Sequence, residues 1–171
     1  MNNPRLTLVT LTEELRTEFL ALAEDYLSAG EDRYRSALDD FQAYVRSLRG
    51  GEGGYGLPAG LVPYSTFWLS DGRRLLGRAT LRYQLTPELE HEGGHIGYDV
   101  RPSERGRGYG TLLLKLTLEK ARETGLRRVR LSCDTDNLAS AKVIERNGGR
   151  LESHATSERS GKQVSRYWIE L

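Results

Sequence analysis

The residues best suited to chemistry lie in one segment, Tyr98–Leu116, which reads YDVRPSERGRGYGTLLLKL. A strand-like run ends at Pro102, a turn rich in glycine and arginine follows, and a leucine-rich stretch typical of a buried helix comes after it. Glycines two residues apart allow successive backbone N–H groups to turn toward one point. The start of the helix adds its own unpaired N–H groups and the positive end of its dipole. The segment therefore predicts a site for an anion.

The spacing of the glycines excludes two common phosphate loops. A P-loop ends in Gly-Lys-Ser/Thr, whereas this loop continues Gly110-Thr111-Leu112, and a dinucleotide fingerprint needs a third glycine where the threonine stands. What remains is the pattern Arg-x-x-Gly-x-Gly, from Arg105 to Gly110, directly after the strand end Val100–Pro102. This pattern resembles the coenzyme A pyrophosphate loop of the GNAT superfamily, the acetyl-CoA-dependent N-acetyltransferases.

The periodicity of the rest of the chain predicts a mixed α/β fold in the order β-α-α-β-β-β-α-β-α-β-β. This order agrees with the layout that the resemblance implies: a GNAT-like central twisted mixed β-sheet of six to seven strands flanked by helices. With 171 residues the chain suits one domain, residues 1–171. A glycine-rich stretch, residues 50–63, is expected to form a loop within that domain, either a passive connector or a flap over an acceptor site.

The resemblance also implies which residues hold the cosubstrate, acetyl-CoA or coenzyme A. The strand before the loop would lie beside the pantetheine arm, the loop would hold the pyrophosphate, and the start of a later helix would contact the pantetheine or adenosine side. The implied residues are Tyr98, Val100, Arg105, Gly106, Arg107, Gly108, Tyr109, Gly110, Thr111, Asn137 and Ser140. From the sequence alone, Asn137 reads equally well as an ordinary helix cap.

The chain departs from the family pattern further along the same helix. Many members carry a tyrosine seven residues after the asparagine, where its hydroxyl can protonate the leaving thiolate; here that position is Ile144. Gly149 also stands where a phenylalanine is common. The acid would then be Tyr98, Tyr109 or Ser140, or solvent, which suffices for a thiol of pKa about 8.5.

Acetylation of an amine also needs a base near the acetyl carbonyl, and the strand that enters the loop offers two. Strict alternation puts Glu92 on the same face as Tyr98, and His95 on the other face with Asp99. A β-bulge would reverse this assignment, so Glu92 and His95 remain equal candidates. The predicted catalytic residues are thus Glu92, His95 and Tyr98.

Composition narrows the class of protein. The net charge of +1 argues against a general nucleic-acid binder, and neither a membrane span nor a signal peptide is apparent, so a cytoplasmic enzyme without membrane contact is expected. Cys133 is the only cysteine, and the sequence shows no metal-ligand spacing, so no metal is predicted. Residues 101–130 carry a net charge of +6 and residues 12–48 one of −5. The acidic half favours a cationic amine as acceptor.

Together these observations predict an N-acetyltransferase that transfers acetyl from acetyl-CoA to a primary amine by direct attack in a ternary complex. The acceptor is expected to be a small amine, and exposed sheet edges allow a homodimer. Two alternatives stay open. One is a CoA-binding protein of this fold without catalysis, which the isoleucine at position 144 favours. The other is a nucleic-acid binding module that uses the arginine-rich segment.

Overall fold

The computed structural model describes residues 6–54 and 57–171, which form a mixed α/β fold. In this part of the chain there are seven strands and six helices. In chain order they are β1 Thr7–Val9, α1 Arg16–Ser28, α2 Arg35–Asp39, α3 Phe41–Gly53, β2 Tyr64–Ser70, β3 Leu75–Arg82, α4 Pro87–His91, β4 Ile96–Val100, α5 Tyr109–Glu123, β5 Arg128–Asp134, α6 Leu138–Arg146, β6 Arg150–Thr156 and β7 Gln163–Glu170. The predicted fold class and the order of its main elements are confirmed.

The strands form two sheets rather than one continuous hydrogen-bonded sheet. The first has four strands in the order β1-β2-β3-β4, and the second has three in the order β5-β7-β6, with every pair antiparallel. A hairpin joins β2 and β3, because the Asp71 carboxylate accepts the N–H groups of Arg73 and Arg74 and so closes the turn. Among the residues that the structure describes, the backbone bridge between the two sheets lies just before β4.

That meeting point is an isolated bridge between Gly94 and Leu131. The N–H of His95 donates to the carbonyl of Arg130 at 2.7 Å. Gly94 has a φ of +71°, and a Cβ placed on it would lie 2.2 Å from the Arg130 oxygen. Only glycine combines this left-handed backbone with so close an approach. Beyond this point β4 and β5 belong to different sheets and leave a gap between them.

Helices cover both sheets and place the loop that follows β4. The helix α5 packs on β3 and β4 through the buried side chains Leu113, Leu114 and Leu118. The helices α1 to α3 pack an aromatic cluster against β2, in which Phe19 contacts Tyr34 and Trp68 edge to face. No helix among residues 6–54 and 57–171 is long and apolar enough to cross a membrane.

Three local features differ from the predictions. Two short helices, α2 and α4, interrupt stretches that the sequence pattern left without regular structure. The loop expected at residues 50–63 begins later, because α3 continues to Gly53 and ends with Gly54 in a left-handed conformation. Gly51 lets this helix pass under the Tyr64 ring, where a Cβ would lie 2.3 Å from the ring carbon Cζ. Residues 57–63 are irregular, and residues 55 and 56 lie outside the described part of the chain.

Candidate active site

The glycine turn forms one wall of a cavity of about 650 Å³, which we call the loop cavity. The opposite wall comes from α6 and the floor from the end of β4. Ten of the eleven predicted cosubstrate-binding residues line it, namely Tyr98, Val100, Arg105, Gly106, Gly108, Tyr109, Gly110, Thr111, Asn137 and Ser140. Residues up to 42 positions apart in the sequence, Tyr98 and Ser140, therefore line one site.

A second cavity, of about 350 Å³, continues the loop cavity into the gap between the sheets. We call it the strand cavity; it is lined by β4 on one side and by Ser132, Cys133 and Asp134 of β5 on the other. Tyr98, Asn137 and Ser140 line both cavities. The two cavities thus form one continuous cleft that runs from the glycine turn to the place where β4 and β5 separate.

The backbone at the head of this cleft suits an anion. Gly108 is the N-cap of α5 and has a φ of +83°. Because no helical turn precedes it, the first N–H groups of α5 have no carbonyl of an earlier turn to pair with. Tyr109, Gly110 and Thr111, which carry those groups, line the cavity. Lys142 and Arg146, one turn apart on α6, add positive charge from the facing wall. These two cations were missed, although their spacing of four residues on the helix that begins after Asn137 was a usable signal.

Acidic residues of the N-terminal half hold the loop in place. The Asp25 carboxylate accepts hydrogen bonds from Arg101 Nε at 3.1 Å and from the N–H and hydroxyl of Ser103. The Glu31 carboxylate pairs with Arg105 at 2.7 Å. Arg105 Nε also donates to the carbonyl of Val100 at 3.1 Å. Part of the charge asymmetry seen in the sequence is therefore neutralised within the protein, by ion pairs between the acidic segment 12–48 and the basic loop.

Arg107 is the one predicted cosubstrate residue that does not line the loop cavity. Its guanidinium pairs with Glu104 at 3.1 Å, and the same carboxylate group accepts a hydrogen bond from Arg74 at 2.6 Å. Glu104 is buried, so the two arginines provide the charge that its burial requires. Arg107 therefore contributes to the shape of the turn, and its side chain is not at the cleft.

Tyr98 lies in the middle of the cleft with its hydroxyl 2.9 Å from the Ser140 hydroxyl and 3.2 Å from the Ser140 carbonyl, to which it donates. Burial raises the pKa of Tyr98 to about 12. Arg101 donates its N–H to Leu76 of β3. Because N–H groups alternate between the two edges of a strand, the N–H of Tyr98 points to the opposite edge, toward β5 and the cleft.

Ile144, at the position where many family members carry a tyrosine, is completely buried in the core between α5, α6 and β5. Gly149 lies directly against it: a Cβ on Gly149 would be 2.4 Å from Ile144 Cγ2 and 2.8 Å from the Ile144 carbonyl oxygen. The two departures from the family pattern, Ile144 and Gly149, are therefore coupled, because the two residues pack directly against each other. The helix offers no hydroxyl to the cleft at this position.

The two candidate bases lie in different surroundings. Glu92, the residue after α4, lines the strand cavity, accepts a hydrogen bond from the Ser157 hydroxyl at 2.7 Å and lies 3.7 Å from Arg159 Nε. His95 is buried, lines neither part of the cleft, and its Nδ1 accepts the N–H of Arg130 at 2.9 Å. Strand alternation could not place them, because Gly93 and Gly94 both have positive φ and β4 begins only at Ile96.

The surroundings of His95 predict a pH-dependent stability. Burial, together with the nearby charges of Arg82 and Arg130, lowers the pKa of His95 below its ordinary value. The neutral ring therefore stabilises the fold above a pH of about 6.5, and this contribution is lost as the pH falls through the lowered pKa. We expect the free energy of unfolding, measured with urea between pH 8 and pH 5, to fall less steeply in His95→Gln than in the parent protein. His154→Gln, at an exposed position, is the control; equal slopes for all three proteins would contradict the prediction.

A charged cluster beneath the loop was also missed by sequence reasoning. Asp99 accepts hydrogen bonds from the hydroxyls of Tyr26 and Tyr34 and pairs with Arg33 at 3.0 Å. Burial, followed by the Asp99 charge, raises the pKa of Tyr26, so its hydroxyl stays protonated and able to donate. The partners come from α1 and from the segment between α1 and α2, and no sequence spacing links them to β4. Among residues 6–54 and 57–171 no group of three His, Cys, Asp or Glu side chains is arranged to hold a metal ion.

Comparison with known proteins agrees with this geometry. The sequence model described as the acetyltransferase (GNAT) domain matches residues 5–150. No curated protein sequence matches significantly. The fold is similar to the ribosomal L7/L12 alpha-N-protein acetyltransferase RimL in complex with coenzyme A, with a TM-score of 0.73 and 19% identity over 97% of this chain and 94% of that one.

Two other solved structures share the fold. The microcin C7 self-immunity acetyltransferase MccE, in complex with acetyl-CoA and AMP, has a TM-score of 0.72 and 13% identity over 99% of this chain and 94% of that one. A spermidine N-acetyltransferase SpeG chimera from Vibrio cholerae and hSSAT has a TM-score of 0.66 and 17% identity over 96% and 95% of the two chains. The matched domain covers most of the sequence and includes the glycine turn, Tyr98 and Asn137, so this chain belongs to the GNAT acetyltransferase family.

Proposed function

We propose that the protein is an acetyl-CoA-dependent N-acetyltransferase that acts on a small primary amine. The observation that carries this proposal is the continuous cleft, which offers an anion site at the start of α5 and a gap between two sheets at its other end. These features suit a long molecule with a pyrophosphate at one end and a thioester at the other. The complexes of RimL with coenzyme A and of MccE with acetyl-CoA support the same assignment.

The bound cosubstrate would supply an activated acetyl thioester, and the chain would orient it. The N–H groups of Gly108 to Thr111 and the cations Lys142 and Arg146 would hold the pyrophosphate. Asn137 caps α6 by accepting the N–H of Ser140, which fixes the helix end beside the pantetheine path. Fixing both ends of the cosubstrate keeps the acetyl carbonyl in one place for attack.

The chemical step needs a donor that stabilises the oxyanion, a base that removes a proton from the amine, and a source of a proton for the leaving thiolate. The N–H of Tyr98, which points toward the cleft, would donate to the developing negative charge on the acetyl oxygen. Glu92 would accept the proton of the amine directly or through a water, because it lines the strand cavity and His95 Nδ1 is already hydrogen-bonded. The hydroxyl of Tyr98, which its raised pKa keeps protonated, would exchange its bond to the Ser140 carbonyl for one to the thiolate, and solvent would supply the proton that the thiolate takes up.

A second candidate function is supported by Ile144. Since this buried isoleucine removes the usual tyrosine acid, a CoA-binding protein without transfer activity remains the alternative. The two functions differ in a simple experiment. Incubation of the protein with acetyl-CoA and a panel of primary amines releases free thiol and yields acetylated amine only if transfer takes place.

Cys133 provides an independent test of cosubstrate binding. Its thiol is half-buried in the strand cavity, and burial raises its pKa, so we expect slow alkylation by iodoacetamide. Acetyl-CoA at saturating concentration should slow this reaction further, by at least about tenfold, because the thioester end of the molecule would cover the thiol. An unchanged alkylation rate, together with no heat of binding in calorimetry, would rule out the proposed cosubstrate site. Protection without turnover of any amine would leave only the CoA-binding alternative.

A further inference from the structure

A third cavity, of about 430 Å³, opens beside the strand cavity on the side away from the glycine turn. We call it the arginine cavity. Its walls come from α3, β2, β3 and the segment 60–62. Arg82, Gly93 and Arg159 line both the arginine cavity and the strand cavity, so the two are connected. A molecule in the arginine cavity can therefore extend one end toward Glu92 and Tyr98.

The charged side chains that line this cavity are all positive. They are Arg78, Arg82 and Arg159, and no aspartate or glutamate of the described residues lines the cavity with them. Arg82 has no ion-pair partner within the part of the chain that the structure describes; its guanidinium donates to the carbonyl of Gly94 at 3.0 Å. Burial, followed by the charges of Arg78 and Arg159, lowers the pKa of Arg82, as expected for a cation without a counter-charge.

The other two arginines have acidic neighbours, but only at the long end of ion-pair distance. Arg78 Nε lies 3.9 Å from Asp99, whose carboxylate already pairs with Arg33 at 3.0 Å. Arg159 lies 3.7 Å from Glu92 and is three-quarters exposed. The cavity therefore presents more positive charge than its surroundings balance, which favours an anionic guest.

Unused hydrogen-bond donors at the same place support this interpretation. Within the described residues, the Tyr44 hydroxyl and Arg78 Nε are buried and have no hydrogen-bond partner. Both side chains line the arginine cavity. Buried donors without partners are rare, and each costs stability unless something else satisfies it. A carboxylate or phosphate group, which has only acceptor oxygens, would accept from both while it binds the arginines.

We propose that the arginine cavity binds an anionic group of the acceptor, so that the substrate is a small amine that also carries a carboxylate or a phosphate. This inference rests on the proposed function and names the substrate class for it. The anionic group would lie against Arg82 and Arg78, and the amine would reach the strand cavity beside Glu92. The acidic N-terminal half suggested a cationic acceptor, but Asp25 and Glu31 are paired with loop arginines and none of its acids lines this cavity.

The test uses amines that differ only in the distal group. A series of ω-amino carboxylates and ω-aminoalkyl phosphates of increasing length is compared with alkylamines, amino alcohols and diamines of the same length. The readout is kcat/KM from thiol release. We expect the best anionic amine to exceed its neutral analogue by at least about tenfold, as for hydrogen bonds to a charged group. The carboxylate and phosphate series decide which anion the site prefers.

Two variants connect the preference to the cavity. Arg82→Gln should reduce kcat/KM for the anionic amine about 10-fold to 100-fold, mainly through KM, and this reduction should be clearly larger than the one it causes for the neutral amine of the same length. Tyr44→Phe removes a hydroxyl that lies beside Arg78 in the cavity wall, so the anionic amine should bind about threefold to tenfold more weakly, and the melting temperature of the variant shows whether the fold is retained. Arg122→Gln, at an exposed position of α5 that lines none of the three cavities, is the matched control for lost charge.

A binding measurement separates this inference from the proposed function. Calorimetry of the protein–CoA complex with the same amines requires no turnover. If no amine is acetylated but the anionic amines bind and Arg82→Gln abolishes binding, the inference stands and the proposed function falls. If amines are acetylated but neutral amines or diamines are preferred, or if Arg82→Gln changes nothing, the inference is overturned and the proposed function stands. If anionic amines neither bind nor react, the inference is overturned.

Discussion

Gly110→Glu should weaken acetyl-CoA binding by at least about 100-fold, because it would place a carboxylate against the pyrophosphate. Two like charges about 4 Å apart repel by roughly 4 kcal/mol at a partly exposed protein site. The position permits the substitution sterically at its first atom: a Cβ on Gly110 would contact Val143 at 3.4 Å and Val100 at 3.5 Å, which are ordinary distances. The dissociation constant from calorimetry is the measurement.

Gly110→Gln is the matched control, since it has the same shape without the charge. We expect it to weaken binding only about tenfold, through the volume it occupies in the cleft. Equal dissociation constants for the glutamate and glutamine variants would show that no anion binds at the start of α5. The melting temperature of each variant, measured without ligand, shows whether the fold is retained.

Gly94→Ala should lower the free energy of unfolding by about 3 kcal/mol, since it adds a Cβ where the two sheets meet. The new atom would lie 2.2 Å from the carbonyl oxygen of Arg130, and the alanine would also be held at a φ of +71°. Relief requires Gly94 and Leu131 to move apart, which would break the bridge between the sheets. Urea unfolding measures the effect.

Gly72→Ala separates the two causes. This glycine has a φ of +86° and nothing within 4 Å of the added Cβ, so the substitution tests the backbone conformation alone. We expect it to cost about 1 kcal/mol. Losses of similar size at both positions would contradict the steric explanation and would show that the contact at the sheet junction relaxes freely.

The loop cavity was largely predictable because its determinants are local. The glycine spacing, the strand before it and the helix after it are read directly from consecutive residues, and ten of the eleven predicted residues line the cavity. Arg107 lies outside this lining, because a basic residue in such a turn has two possible partners, an external anion or a carboxylate of the protein such as Glu104. The sequence does not show which of them is nearer.

The catalytic end of the cleft and the arginine cavity could not be predicted in the same way. Two left-handed glycines at positions 93 and 94 break the alternation that would have placed Glu92 and His95. Arg78 and Arg82 line the same cavity as Tyr44 because α3 packs on β2, the neighbour of β3. Contacts of this kind depend on tertiary packing, and neither periodicity nor residue spacing encodes them. The loop predicted at residues 50–63 failed for the same reason. Its first residues are helical because Gly51, which has no side chain, leaves room for the Tyr64 ring against α3.

The contact between Ile144 and Gly149 limits how the family's tyrosine and phenylalanine could be introduced at these two positions. A side chain on residue 149 is blocked by Ile144 Cγ2 and also by the main-chain oxygen of residue 144, which no substitution at 144 removes. That oxygen accepts the N–H of Gly149 at 2.9 Å and so ends the helix. The family pattern of tyrosine and phenylalanine therefore requires a different path of the chain after α6. A side chain at position 149 should therefore destabilise the fold whichever residue stands at 144, and substitution of residue 144 alone does not make room for it.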